Sequence, residues 1–354
     1  MEAILETDQV RERVGKRVDQ FLSSARPQLD DISPDVGALI DTVHDFMDGG
    51  KRLRALFLYW GWRAAGGQDS EAIISAAASM EFVQACALIH DDVMDCSDSR
   101  RGRPAVHRQF AQQHAAAEWA GASHDYGNAA AILIGDLCLS WADALLMDSG
   151  LSHEQLRRGK PVYDSMRVEL MAGQYLDILE QARRSSTVEA ALRVATYKSA
   201  KYTIERPLHL GASLADANRH TIEGLRSYGL ALGQAFQLRD DLLGMFGDSS
   251  QTGKPTGDDL REGKRTALLA LALQQTDQTS RSQIERVLGD RFAPDDQVAE
   301  ATELIGATGA RATIEEMITA ASKNAEQSLT GIAIDPTAQR VLLGLVQAAT
   351  VRSA

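Results

Sequence analysis

Leu88-Ile89-His90-Asp91-Asp92-Val93-Met94-Asp95 closes a long apolar run that opens near Ser70, and Arg100-Arg101-Gly102-Arg103-Pro104 follows within a few residues. The run repeats apolar side chains at helical spacing, so the stretch reads as the end of a long helix. On that helix Asp91 and Asp95 lie one turn apart on one face, with Asp92 beside them. Three carboxylates this close repel one another, and none has a cationic residue at the preceding turn. They also fall in the last turn, where the helix dipole is negative and Lys or Arg would be preferred. A divalent cation explains the cluster directly, because hard ions such as Mg²⁺ take a few carboxylate oxygens and complete their shell with water or substrate phosphate. The arginines that follow suit phosphate oxygens.

A second acidic motif, Gly233-Gln234-Ala235-Phe236-Gln237-Leu238-Arg239-Asp240-Asp241, closes another apolar run 149 positions later (240 − 91). A solvated surface accounts for one acidic triplet, but not for paired aspartates at two apolar helix ends. Two such helices facing each other would enclose a cavity with metal-binding walls.

The chain has 354 residues, 44% of them hydrophobic, enough for one large core or two ordinary ones. A formal charge of −12 argues against nucleic acid as the main partner, so the useful cations must be local clusters. Cys86, Cys96 and Cys138 have no metal-ligand spacing, and an odd number gives no disulfide framework, which fits a reducing cytoplasm. The first residues are rich in charge and lack the apolar core of a signal peptide, and charge or glycine interrupts the apolar runs short of a membrane span. The expectation is a cytoplasmic, soluble protein.

Helical periodicity recurs along the chain and strand-like alternation is scarce. Val10, Val14, Val18, Phe21 and Leu22 mark a first amphipathic helix within an N-terminal extension over residues 1–32. Ser33-Pro34 caps a helix running to Met47, Gly49-Gly50 ends it, and Arg52 to about Ala65 forms the next. Ser70 caps the run into Asp91. Further helices are predicted near 127–148, 153–182, 188–217, 221–246, 264–276, 296–305, 310–330 and 336–350. No Pro/Gly/Ser-rich linker and no solenoid repeat divides the chain, so the reading is a single domain over 1–354, an all-α bundle with a site in its core.

A third basic element, Gly49-Gly50-Lys51-Arg52-Leu53-Arg54, places two glycines before a helix start, where backbone and dipole both favour an anion. With it the ordered set is complete: Gly49 to Arg54, Asp91-Asp92-x-x-Asp95, Arg100-Arg101-Gly102, Gly173-Gln174, Lys198, Phe236-Gln237 before Asp240-Asp241, and Lys264. Over roughly residues 35 to 350 the chain resembles the trans-isoprenyl diphosphate synthases, the head-to-tail prenyl-elongating enzymes, and most of all the geranylgeranyl diphosphate synthases of actinobacteria. The resemblance implies the isoprenoid-synthase type of single large helical bundle with a central cavity, and a homodimer.

By position, the resemblance implies that Lys51, Arg54, Gln84 and Arg101 hold the diphosphate of isopentenyl diphosphate, with Gln84 replacing a histidine found in many relatives. Asp91, Asp95 and Asp240, with Asp92 and Asp241 beside them, would bind three Mg²⁺ ions, or Mn²⁺, bridging to an allylic diphosphate. Arg100, Lys198, Lys254 and Lys264 would contact that diphosphate, and Ser199 and Gln237 would lie beside the forming cation. Asp177 would support Arg100 or a metal-bound water. The chemistry requires such a set: an allylic C–O bond breaks heterolytically only if the charge of the leaving diphosphate is neutralised, and water must be kept from the cation. The departing diphosphate takes the final proton, since no dedicated protein base is evident.

The second motif departs from the family in carrying Gly244 at its fifth position, so Asp248, Asp258 or Asp259 would supply a carboxylate through water. Ser199 stands where threonine is usual. His90, His107, His114, His209, His220, Trp60 and Trp62 read as structural, and Glu205-Arg206-Pro207 as a helix junction. A class I terpene cyclase also ionises diphosphates, but it has no use for the Lys51/Arg54/Arg101 set. A non-catalytic partner subunit would have lost its aspartates.

Product length follows from helix geometry. A tail running from Asp91 toward the helix N-terminus meets Ala87 and Cys86 first, then Val83 and Met80, the last about 16 Å away at 1.5 Å per residue. In the family that the chain resembles, members that stop at farnesyl commonly carry aromatic rings at the first level. Two small side chains here, with Met80 as a floor, therefore imply geranylgeranyl diphosphate over farnesyl or longer products.

Overall fold

The computed structural model describes residues 2–184, 187–247 and 257–350. Among these residues one two-residue-strand hairpin, β1 Ser99–Arg100 with β2 Arg103–Pro104, interrupts an otherwise helical chain, so the fold is all-α. The contacts gather into two compact units, each assembled from three separate stretches of sequence.

The first unit holds residues 1–160, 210–217 and 335–341. Helix α1, Glu2–Asp30, buries Val10, Val14, Val18 and Leu22, the stripe its sequence announces. After a short 3-10 turn capped by Ser33 come α2 Gly37–Met47, α3 Leu53–Ala64 and α4 Glu71–Met94. The hairpin, α5 Val106–Ala116 and α6 Ser123–Met147 follow. Ser70 caps α4 by accepting the Ile73 N–H at 3.4 Å. Helix α4 packs on α1, α3, α5 and α6 and is the core of the unit. Its Ile73, Ile74, Met80, Phe82 and Ile89 are fully buried, each worth about 1.5–3 kcal/mol relative to exposure. Phe21, Phe82 and Trp141 join α1, α4 and α6 edge to face, with ring centroids 5.2, 6.0 and 6.1 Å apart.

The second unit holds residues 161–209, 218–334 and 342–354. It takes most of α7 His153–Arg183, then α8 Val188–Val194, a π-helical segment Ala195–Glu205 and the start of α9 Arg206–Leu214. The long α10 Arg219–Phe246 is capped by Asn218, whose side chain accepts the Thr221 N–H at 2.9 Å. Then come α11 Asp258–Arg261, α12 Ala267–Gln275, α13 Gln278–Val287, α14 Asp295–Gly306, α15 Ala310–Thr330 and the end of α16 Pro336–Thr350. Leu238, Leu242, Leu268, Leu269, Ile284, Ile305 and Ile314 form its core.

Several local expectations change. Helix α5 and helix α13 escape the periodicity because each buries few apolar side chains, Val106 and Phe110 in one and Ile284 and Val287 in the other. Asp277, whose carboxylate accepts the Thr279 and Ser280 N–H groups, is the visible start signal of α13. Asp240 and Asp241 do not end their helix, since α10 continues to Phe246. Two helices, Glu71–Met94 and Ser123–Met147, are long and apolar enough to cross a membrane by length and composition, more than the sequence reading allows. In α4, 78% of that apolar window is buried, which accounts for its composition, against 44% in α6.

Close helix approach sets a stability test in the first unit. Gly211 of α9 lies against α3, where a Cβ would overlap the Leu58 carbonyl and stand 2.7 Å from the Trp62 amide. Gly211→Ala is expected to destabilise by about 1–3 kcal/mol, seen as a lower urea midpoint; an unchanged midpoint would contradict this packing.

Candidate active site

The acidic helix end belongs to the first unit. Asp91 and Asp92 occupy the last turn of α4, and Asp95 is its C-cap, its N–H bonded to the Asp91 carbonyl at 2.8 Å. Asp92 is almost wholly buried, and Arg100 grips both its oxygens, Nε on Oδ2 at 2.7 Å and Nη2 on Oδ1 at 2.6 Å. The same Nη2 lies 3.8 Å from Asp91 Oδ2. Arg100 therefore neutralises the repulsion within the triplet, in the bidentate geometry that guanidinium favours. Asp92, expected beside the metal, is the residue that fixes Arg100.

The hairpin explains how adjacent arginines serve different places. Arg101 and Gly102 both have positive φ, 53° and 73°, as the two-residue turn of a tight hairpin demands. Arg100, on the strand, faces the aspartates, while Arg101, at the tip, turns to the Gly49-Gly50 loop. Its Nη2 lies 3.4 Å from where a Cβ on Gly50 would stand. Burial of the guanidinium, followed by repulsion from Arg100, Arg52 and Arg54, lowers its pKa, while Glu81 opposes the shift. Such crowding of cations favours a bound anion.

Arg52, left-handed at φ 50°, caps α3. It donates to the buried Glu81 at 2.9 Å and to the Met47 carbonyl at 2.6 Å, so it braces the loop. Glu81, a lone acid within an apolar helix, is the sequence signal for that brace. Lys51 precedes the helix, exposed, and its carbonyl accepts from Arg11 at 3.3 Å. Arg54 lies in the first turn of α3, and Gln84 lies on α4 two turns before Asp91.

In α4 the half-exposed positions Gln84, Ala87, Leu88 and Asp91 form one stripe at helical spacing. Val83 and Met80 are fully buried. Cys86 turns away from this stripe toward α6: its Sγ lies 3.8 Å from His90 Nδ1, and the His90 ring fills the space left by Gly135. Burial, then the charge of Asp136, pushes the Cys86 thiol up to about 12. Ala87 therefore shares the face of Asp91, and Cys86 does not.

In the second unit Lys198 lies on the π-helical segment and donates to Asp177 Oδ2 at 2.6 Å. Asp177, expected to support Arg100 or a metal-bound water, pairs with this lysine. Gly173 brings α7 against the same segment, and Ser199 is half-buried next to Lys198. On α10, Gln237 Nε2 donates to Asp241 Oδ1 at 2.8 Å. Burial first raises the Asp241 carboxyl to about 7; the Gln237 bond opposes the shift, and Asp259 and Asp240 add to it. Asp240 stands half-buried beside it. Lys264 pairs with Glu262 and lies 3.6 Å from Asp259 Oδ1.

The departure at Gly244 has a direct structural counterpart. A side chain at this position would overlap Asp259 Oδ2, so the carboxylate of Asp259 occupies the space that a longer residue would fill. Lys254, Asp248 and the Asp258 side chain lie outside the described residues. Among the described residues no three His, Cys, Asp or Glu side chains stand together as a preformed metal cage. Sparse carboxylate donors fit a hard divalent cation that keeps waters and takes substrate oxygens, and not a dedicated protein cage.

The remaining expectations concern packing. Trp60 and Trp62 are buried, with Trp62 Nε1 donating to the Gln68 carbonyl at 2.8 Å. His107 and His114 are buried in α5, and Glu205-Arg206 marks the junction between the π-helical segment and α9.

Sequence and structural comparisons place the whole chain among known proteins. The crystal structure of a geranylgeranyl pyrophosphate synthase from Corynebacterium glutamicum, complexed with isoprenyl diphosphate and magnesium, superposes with a TM-score of 0.95 at 42% identity, over 98% of this chain and 99% of that one. A geranylgeranyl diphosphate synthase from Sulfolobus acidocaldarius is 31% identical over 277 residues, 77% of this chain and 78% of the relative. A geranylfarnesyl diphosphate synthase from Aeropyrum pernix is 34% identical over 273 residues, 76% of this chain and 79% of the relative. The family pattern for polyprenyl synthetases spans residues 38–305, from the helix before the glycine pair to a point beyond Lys264. With that pattern matched over most of its length, the chain belongs to the polyprenyl synthetase family.

Proposed function

We propose that this protein is a head-to-tail prenyltransferase that condenses isopentenyl diphosphate with an allylic diphosphate and releases mainly geranylgeranyl diphosphate. One observation carries the reading: on a single tight hairpin, Arg100 is committed to the aspartate triplet and Arg101 to the Gly49-Gly50 loop. Adjacent arginines directed to an acidic and a cationic site suit an enzyme that holds two diphosphates, one through metal and one through protein cations.

Lys51, Arg54, Gln84 and Arg101 bind isopentenyl diphosphate without metal, since their site is already cationic. Asp91, Asp95 and Asp240 are the metal carboxylates; Asp92 and Asp241 support them through Arg100 and Gln237. Mg²⁺, present in the Corynebacterium relative, supplies charge neutralisation of the leaving diphosphate when bound, and three ions per site is the expected complement. Lys198, Arg100 and Lys264 add fixed positive charge to the same oxygens, with Lys254 as a further contact, and so favour the transition state over the ground state. The Gln237 carbonyl oxygen and the Ser199 hydroxyl line the forming allyl cation. The apolar walls of α4 exclude water, and the released diphosphate accepts the proton lost after carbon–carbon bond formation.

The exposed stripe Val168, Met171, Tyr175 and Ile178 on α7, and Ile132 and Leu133 on α6, support a homodimer. Sedimentation at the mass of a single chain would contradict it. The three free thiols support a cytoplasmic setting, and retention of the purified chain's activity in strong thiol reductant checks this.

Two tests follow. Incubation with Mg²⁺, isopentenyl diphosphate and dimethylallyl, geranyl or farnesyl diphosphate is expected to end at the twenty-carbon product. Ala87→Phe is expected to shorten it by placing a ring on the Asp91 face of α4. No elongation at all refutes the function, and an unchanged product from Ala87→Phe refutes the tail path. Separately, Lys51→Ala and Arg54→Ala are expected to raise KM for isopentenyl diphosphate about tenfold or more and KM for the allylic substrate little, whereas Lys264→Ala does the reverse. Equal shifts in both constants would refute the division into two diphosphate sites.

A further inference from the structure

Lys198 does not sit on an ordinary α-helix. It lies in an eleven-residue π-helical segment, Ala195–Glu205, whose i→i+5 bonding makes the backbone wider than an α-helix. Such segments are uncommon, and something must hold this one open. Close backbone approach supplies part of the hold. A Cβ on Gly173 of α7 would stand 2.6 Å from the Tyr197 carbonyl carbon, and one on Gly233 of α10 would stand 2.7 Å from Ala200 Cα. One on Gly229 of α10 would stand 2.7 Å from Glu205 Cα.

A charged network supplies the rest. Glu169 Oε1 accepts from Lys201 Nζ at 2.6 Å and from Arg206 Nη2 at 2.6 Å, while Oε2 accepts from Arg206 Nε at 2.7 Å. Glu205, also buried, takes Arg226 Nε at 2.8 Å and has Arg206 Nε at 3.4 Å. Glu169, Gly173 and Asp177 fall at four-residue spacing on α7, which puts them on one stripe. That stripe meets the segment in register: Glu169 pairs with Lys201, Gly173 lies against the backbone at Tyr197 and Lys198, and Asp177 pairs with Lys198. Burial pushes the Glu169 carboxyl up, but the hydrogen bonds from Arg206 and Lys201 outweigh it and hold the group below its ordinary range.

We propose that Glu169 is a positioning residue for the prenyl transfer, fixing the π-helical turn by binding Lys201 and Arg206 together and so setting where Lys198 meets the allylic diphosphate. The inference rests on the reading of Lys198 as an allylic diphosphate ligand. Without the carboxylate, Lys201 and Arg206 repel, the segment relaxes toward an α-helix, and the tighter winding turns Lys198 about the helix axis. The Gly173 contact remains, so the fold does not depend on Glu169 alone.

The test compares Glu169→Gln, Lys201→Met and Lys198→Ala in the full-length enzyme, with circular dichroism and both Michaelis constants as readouts. Glu169→Gln and Lys201→Met are expected to keep native helicity, raise KM for the allylic diphosphate about tenfold and leave KM for isopentenyl diphosphate unchanged. Lys198→Ala is expected to give the same split by direct loss of the ligand. If Lys198→Ala shifts the allylic KM while both network variants lower only the melting temperature or shift both constants equally, the positioning role is refuted and the Lys198 reading stands. If Lys198→Ala leaves the allylic KM unchanged, the Lys198 reading itself is refuted, and the inference with it. Should Glu169→Gln not fold, Lys201→Met alone decides the question by the same split.

Discussion

Like charges on an apolar helix are the constraint around which this structure is arranged. Helix α4 buries most of its apolar length, yet its last turn carries Asp91 and Asp92, with the capping Asp95 after them, at the negative end of the helix dipole. Burying ionised carboxylates is costly unless each is paired or coordinated. The chain meets part of that cost internally, since Arg100 occupies both oxygens of Asp92. Carboxylates gathered at one helix end in this way suit a hard cation that arrives with its own phosphate and water ligands. A buried carboxylate is held on α10 as well, where Gln237 donates to Asp241.

Glycine placement is the second determinant, because lysines serve a diphosphate only if the backbones bearing them are held. Gly50 leaves room for the Arg101 guanidinium, and Gly173 lets α7 rest on the segment that carries Lys198. Gly244 leaves space that Asp259 fills. In each case the absent side chain matters because a charged group or a functional backbone takes its place.

Much of this was legible in the sequence for physical reasons. Long apolar helices such as α4 and α10 bury broad faces, so their periodicity is strong, and caps such as Ser70 and Asn218 follow from unsatisfied helix N–H groups. The acidic and basic motifs were legible because like charges crowd together there, and the aspartates have no opposite charge one helical turn away. Partner choice was not. Nothing in the spacing tells that Asp177 answers Lys198, or that Cys86 turns toward His90 while Ala87 shares the Asp91 face until the helix phase is fixed. The π-helical segment is equally hidden, since the close approaches at Gly173, Gly229 and Gly233 come from residues far away in sequence. Helix α13 was missed for a simpler reason, having only two buried apolar residues.

The central claim is that Asp91 and Asp240 capture the allylic substrate through divalent metal, with few ions held before the diphosphate arrives. Electron paramagnetic resonance of bound Mn²⁺, titrated with and without an unreactive allylic thiolodiphosphate, measures this directly. The account predicts weak binding to the protein alone, strong binding with the analogue, and loss of the analogue-dependent ions in both Asp91→Asn and Asp240→Asn. Binding of equal strength without the analogue, or an unchanged complement in either variant, would contradict it.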